Sequence, residues 1–216
     1  MKKIILSLFA GMFLLTACGP SVKVTDSWKA PDIGESKTES FVVMARVDDV
    51  VGRQRFEQEI ADRLREAGMT AIESYKKYPD LNLNLKMTPA QIDELEKKFS
   101  QDGIEGIVLT VIKDTKTEIK TTSSGGGYHG GYYPYFGGYY GAYYSPYGYG
   151  GAYMSASSRT YESEIYKLET VIFDLDRTGD QMVAVISVNI TDPKSASEVA
   201  PKYSQKIAEQ FKEKKK

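Results

Sequence analysis

Residues 121–158 carry no Asp, Glu, Lys or Arg, yet they hold eleven of the chain's 16 tyrosines and eleven of its 19 glycines, with Phe136, Pro134, Pro146 and the only histidine, His129. Glycine breaks regular structure, and rings recurring every few positions leave neither a helix nor a strand with a polar face. The segment is therefore expected as a low-complexity loop inserted between two strands and outside the core. It is also too long for an ordinary hairpin connection, which makes it functional or disordered. Three readings stay open: a disordered loop, a sticky surface that stacks on cell-wall sugars, the membrane or its own copies, and a loop that orders on a partner. The core must come from the flanks.

On the N-terminal side, Phe41-Val42-Val43-Met44-Ala45 reads as a strand, and Asp48-Asp49 behind it as a helix cap. From Val51 to Ala67 the residues Phe56, Ile60, Leu64 and Ala67 share one helical stripe, ended by Gly68. Met69 to Tyr75 predicts a second strand. Thr88-Pro89-Ala90-Gln91 is a capping box with proline at the first position of a helix running to about Gln101, with Ile92, Leu95 and Phe99 inward. Gly106 to Ile112 is a buried strand. This alternation argues for parallel neighbours joined by crossovers. On the C-terminal side, Tyr161 to Leu175 and Met182 to Ile190 form a hairpin around Asp176-Arg177-Thr178-Gly179-Asp180. A last helix follows the Ser195 cap with Val199, Tyr203, Ile207 and Phe211 on one face, and Pro201 is acceptable there only in or near the first turn. The expected fold is a single two-layer α/β domain over residues 40–216, a mixed sheet of about five strands with about three helices.

The N-terminus reads as an address. Met1-Lys2-Lys3 is cationic, and Ile4 to Leu15 is uncharged but too short for a helix to cross about 30 Å of hydrocarbon. Leu15-Thr16-Ala17-Cys18 resembles the lipobox of bacterial lipoproteins. The resemblance implies that residues 1–17 are removed as a signal peptide and that Cys18 is lipidated, its thiol taking a diacylglycerol and its new amine a further acyl chain. Two or three chains make such an anchor permanent, since each buried methylene contributes about 0.8 kcal/mol. The same resemblance implies the outer membrane, because Gly19 and Pro20 follow the cysteine where Asp would retain it in the inner membrane, and its periplasmic face, because no acidic run of the kind used for surface display follows Cys18. Residues 18–39 read as a lipidated tether, with a short strand at Val22 to Val24, reaching about 25 Å as a random coil.

The mature chain is similar to a broad family of bacterial lipoproteins of unknown function, through Arg65-Glu66-Ala67-Gly68, the aromatic loop from Ser124 to Tyr153, and Val171-Ile172-Phe173-Asp174-Leu175-Asp176. That resemblance implies architecture and location and assigns no reaction.

Chemistry is sparse. Cys18 is the one cysteine, so after lipidation no thiol remains for a disulfide, a nucleophile or a metal. Loss of Lys2 and Lys3 takes the formal charge from −1 to −3, no footprint for nucleic acid. His129 sits in a glycine-rich loop, a poor platform for catalysis. Asp174, Asp176 and Asp180 have a spacing that suits Ca²⁺, and Glu162 with Glu164 share a strand face, but strand-end and solvent-face roles explain both groups. No catalytic residue, metal site or cofactor is therefore expected. The expected function is non-enzymatic: a membrane-anchored protein that binds or positions an envelope protein, peptidoglycan or its own copies. Its candidate contacts are Trp28 and Tyr132, Tyr133, Tyr135, Tyr139, Tyr140, Tyr143 and Tyr144. An alternative is a glycan- or lipid-binding module using the same tyrosines, and a carboxylate enzyme is the remote third. Trp28 is expected to pack on the domain and fix the exit of the tether.

Overall fold

The computed structural model describes residues 20–33, 38–119, 136 and 162–211. They build the strands β1 (Ser21–Lys29), β2 (Ser40–Arg46), β3 (Thr70–Glu73), β4 (Gly106–Ile119), β5 (Glu162–Asp174) and β6 (Met182–Thr191). The helices among them are α1 (Val50–Glu66), α2 (Ser74–Lys77), α3 (Pro89–Gln101) and α4 (Ala196–Phe211). One mixed sheet runs β1-β6-β5-β4-β2-β3. The strands β3, β2 and β4 are parallel, as the alternating pattern predicts, and β4, β5, β6 and β1 are antiparallel. The class is the α/β one read from the sequence.

Two differences in element count have clear causes. The sixth strand is β1, which turns nine residues of the expected tether into sheet: Ser21 pairs with Thr191 and Lys29 with Ala184. Only Val22, Val24 and Trp28 are apolar there, so the strand is held by backbone pairing more than by side-chain pattern. The fourth helix is α2, a single turn inside the stretch expected as strand from Met69 to Tyr75. Glu57, fully buried on α1, explains why the strand stops. Its carboxylate accepts from Ala45 N–H at 3.1 Å, Ser74 Oγ at 2.8 Å, Tyr75 N–H at 2.9 Å and Arg53 Nε at 2.9 Å. The pairing of β2 with β3 ends at Val43 and Glu73, and this one side chain takes up the next β2 amide in its place.

Alternation along β2 splits the core. Phe41, Val43 and Ala45 face a cluster closed by Phe56, Ile60 and Leu64 of α1 and Val199, Tyr203 and Ile207 of α4. Val42 and Met44 face a second cluster with Ile92, Leu95 and Phe99 of α3. The helix ends follow the sequence. Asp49 caps α1 through the amides of Val51 and Gly52, Thr88 and Gln91 form the reciprocal box on α3, and Gly68 and Gly103 take positive φ just past the two C-termini. Pro201 is the exception, since it lies six positions into α4, beyond the first turn. Its ring denies a donor to the carbonyl of Ser197, an exposed residue whose carbonyl water can serve, while buried Val199, Ala200, Tyr203 and Ile207 hold the helix down. Beneath α4 the hydroxyls of Tyr203, Thr170 and Thr110 form a chain of 2.6 and 2.7 Å bonds, which satisfies three buried polar groups together.

The aromatic segment corrects one expectation. Read as lying outside the core, it contributes Phe136, which is fully buried in the second cluster. The ring meets Phe173 edge-on with centroids 5.6 Å apart, and the Phe136 amide reaches Gln181 Oε1 at 3.4 Å. Phe136 is the only phenylalanine in a tyrosine-rich stretch, so it enters an apolar site without stripping water from a hydroxyl.

Candidate binding surfaces at the two ends of the sheet

Trp28 lies near the end of β1 opposite Val185, which packs on the second cluster. Strict alternation would put Trp28 on the face of Val22 and Val24, which pack on the first cluster. A bulge between Val24 and Asp26 adds one residue and turns Trp28 to the other face. There, 39% exposed, it lines a hollow of about 550 Å³ with Pro31, Asp32, Asp176, Arg177, Asp180 and Met182. Arg177 bridges the two walls, 3.2 Å from Asp32 and 3.5 Å from Asp174. Met182 belongs both to this hollow and to the buried cluster that holds Phe136. The segment's one described ring is therefore fixed at the Trp28 end of the sheet.

The aspartates of this turn have structural partners. Asp174 is buried at the end of β5, accepts from the Asp176 amide at 3.1 Å and faces Arg177. Among the described residues no group of three or more His, Cys, Asp or Glu is placed to hold a metal ion. Glu164 is exposed and accepts from the Tyr166 hydroxyl at 3.2 Å, while the side chain of Glu162 lies outside the described residues. So do Cys18, His129 and the candidate tyrosines Tyr132, Tyr133, Tyr135, Tyr139, Tyr140, Tyr143 and Tyr144. No described helix is long and apolar enough to cross a membrane.

The opposite end holds a groove that periodicity did not suggest. Its volume is about 350 Å³, its floor is Phe56, Ile112, Leu168, Ile190 and Val199, and its rim includes Asp48, Asp49, Lys194 and Ser195. Both α1 and α4 begin here, so the sheet beyond their first turns is only partly covered at Ile112 and Tyr166. Burial, then the bond to Glu164, pushes the Tyr166 phenol above its ordinary range. Each residue looks like ordinary core in the sequence, and only the common starting level of two distant helices makes the space.

No family model and no curated protein sequence matches this chain. Among solved structures it is similar to a PelC dodecamer from Paraburkholderia phytofirmans, at 10% identity and a TM-score of 0.41, over 87% of this chain and 94% of that one. Lipoprotein GNA1162 from Neisseria meningitidis aligns at 12% identity and a TM-score of 0.39, over 82% and 99%. A PDZ domain protein from Parabacteroides distasonis aligns at 11% identity and a TM-score of 0.41, over 98% of this chain and 40% of that one. At these scores the likenesses have no bearing on function.

Proposed function

We propose that this chain is a non-enzymatic lipoprotein of the bacterial envelope, anchored through Cys18 to the periplasmic face of the outer membrane, that presents the Trp28 end of its sheet to another envelope component. The observation that carries this reading is the course of β1. The strand begins at Ser21, three residues after Cys18, and delivers Trp28 at its far end. Allowing for the bulge, the strand sets Trp28 roughly 20 Å from Ser21. A rigid strut thus replaces a flexible tether, with anchor and contact surface at its opposite ends. Phe136 belongs to the same buried cluster as Met182, which also lines the hollow.

A glycan partner is the second reading, favoured by the chemistry of the hollow. An exposed indole offers a flat apolar face to a sugar ring, and Asp32, Asp176, Asp180 and Arg177 offer hydrogen bonds to hydroxyls around it. Two measurements test the pair. Substituting Cys18→Ala should release the protein from membranes, and unchanged attachment would refute the anchor. A photocrosslinker at Thr178 should capture an envelope protein in intact cells, or else Trp28→Ala should abolish sedimentation with purified peptidoglycan. If neither outcome is seen, the Trp28 end is not a contact surface.

A further inference from the structure

The groove at the Ser21 end takes no part in the reading above. Its floor is aliphatic apart from Phe56 and Tyr166, whose hydroxyl is bonded to Glu164, and Asp48, Asp49, Lys194 and Ser195 lie on the rim, where α1 and α4 begin. Val50 and Val51, 67% and 64% exposed, continue the apolar surface outward beside Asp49 and Gly52. Val22 packs on the same cluster as the floor and pairs directly with Ile190, one of the groove's walls. The strand by which the chain enters the fold therefore lies one strand away from the groove, and Cys18 precedes Val22 by four residues.

We infer that this groove receives one of the acyl chains carried on Cys18. The inference rests on the lipidation reading and adds to it a seat for the lipid. A hydrocarbon chain suits a floor whose one hydroxyl, that of Tyr166, is already bonded to Glu164, whereas a sugar or a nucleotide would leave most of its polar atoms unsatisfied there. The carbonyl oxygen at the head of the chain would meet Lys194 on the rim. A volume of about 350 Å³ falls within the range of about 300–1,000 Å³ usual for small-molecule sites. Drawn into the groove, the chain clamps the anchor against the domain and gives the body a fixed attitude on the membrane.

The test uses cells grown with a diazirine-bearing palmitate, ultraviolet irradiation of intact membranes, and peptide mapping of the full-length protein. The expected result is an intramolecular crosslink from the acylated N-terminal peptide to peptides containing Ile112, Leu168 or Val199. Ala196→Trp, at a partly exposed groove position, should cut that crosslink at least tenfold, and the wild-type map alone decides the matter if this variant misfolds. Crosslinks only to lipid or to other peptides would overturn the inference, as would groove crosslinks of equal yield in Cys18→Ala, which would make a membrane lipid the occupant. A mature chain without any diazirine mass would instead refute the lipidation itself.

Discussion

The Trp28 end and the Ser21 end of the sheet solve the same problem in opposite ways. Both leave apolar surface beyond the reach of α1 and α4. At the Trp28 end the chain covers that surface itself, with Phe136 edge-on against Phe173 and the Asp32–Arg177–Asp174 bridge beside it. At the Ser21 end Ile112 and Tyr166 stay partly open between two helix N-termini. The difference shows where a ring from a remote segment is part of the fold and where space has been left for something else. The bulge in β1 sharpens the contrast, since it sends Val22 and Val24 to the groove side and Trp28 to the opposite face.

The largest expected effect belongs to the filled end. Phe136→Ala should lower stability by about 3 kcal/mol in urea denaturation, the usual cost of emptying a well-packed phenylalanine site. A loss under about 1 kcal/mol would mean that the ring is not part of the core and would erase the contrast between the ends. For the same reason, deletion of residues 124–157 should destabilise the domain by a comparable amount while leaving it folded. At the open end Asp49→Ala removes the cap of α1 and should cost about 1 kcal/mol, measured in the same way. A smaller change is expected for Asp32→Ala, at most about 1 kcal/mol, because Asp32 is largely in water and its pair with Arg177 is screened.

The weakest effect is a pH response. Tyr166 at the groove and Tyr203 beneath α4 both have phenols raised above the usual tyrosine range, burial being the leading cause. The unfolded chain therefore releases these protons first. The stability they contribute is complete below the ordinary tyrosine pKa of about 10 and is lost as pH rises through the folded values. Tyr166→Phe should flatten part of the alkaline loss of stability followed by circular dichroism, and an unaltered profile would count against a desolvated hydroxyl at the groove.

Much of the fold is legible in the sequence because its signals are local. The caps at Asp49 and Thr88, the stripes of α1, α3 and α4, and the parallel order of β2, β3 and β4 all depend on residues within one or two turns of each other. The surfaces are not legible in that way. The membership of β1 in the sheet depends on pairing with β6, far away in sequence, and the face Trp28 occupies depends on a bulge that no residue type announces. Phe136 is visible only as the single phenylalanine of its segment. The groove has no local sign, because it exists only where α1 and α4, from distant parts of the chain, start side by side.

If β1 separates a lipid anchor at Cys18 from the Trp28 surface as a rigid strut, the chain carries its own reporter of that separation, for Trp28 is its only tryptophan. Emission from the mature, acylated protein reconstituted in phosphatidylethanolamine and phosphatidylglycerol vesicles can be quenched either by brominated lipids or by aqueous acrylamide. Acrylamide should quench Trp28, and brominated lipids should leave it unchanged. Strong quenching by the brominated lipids would place the indole at the membrane and contradict the strut.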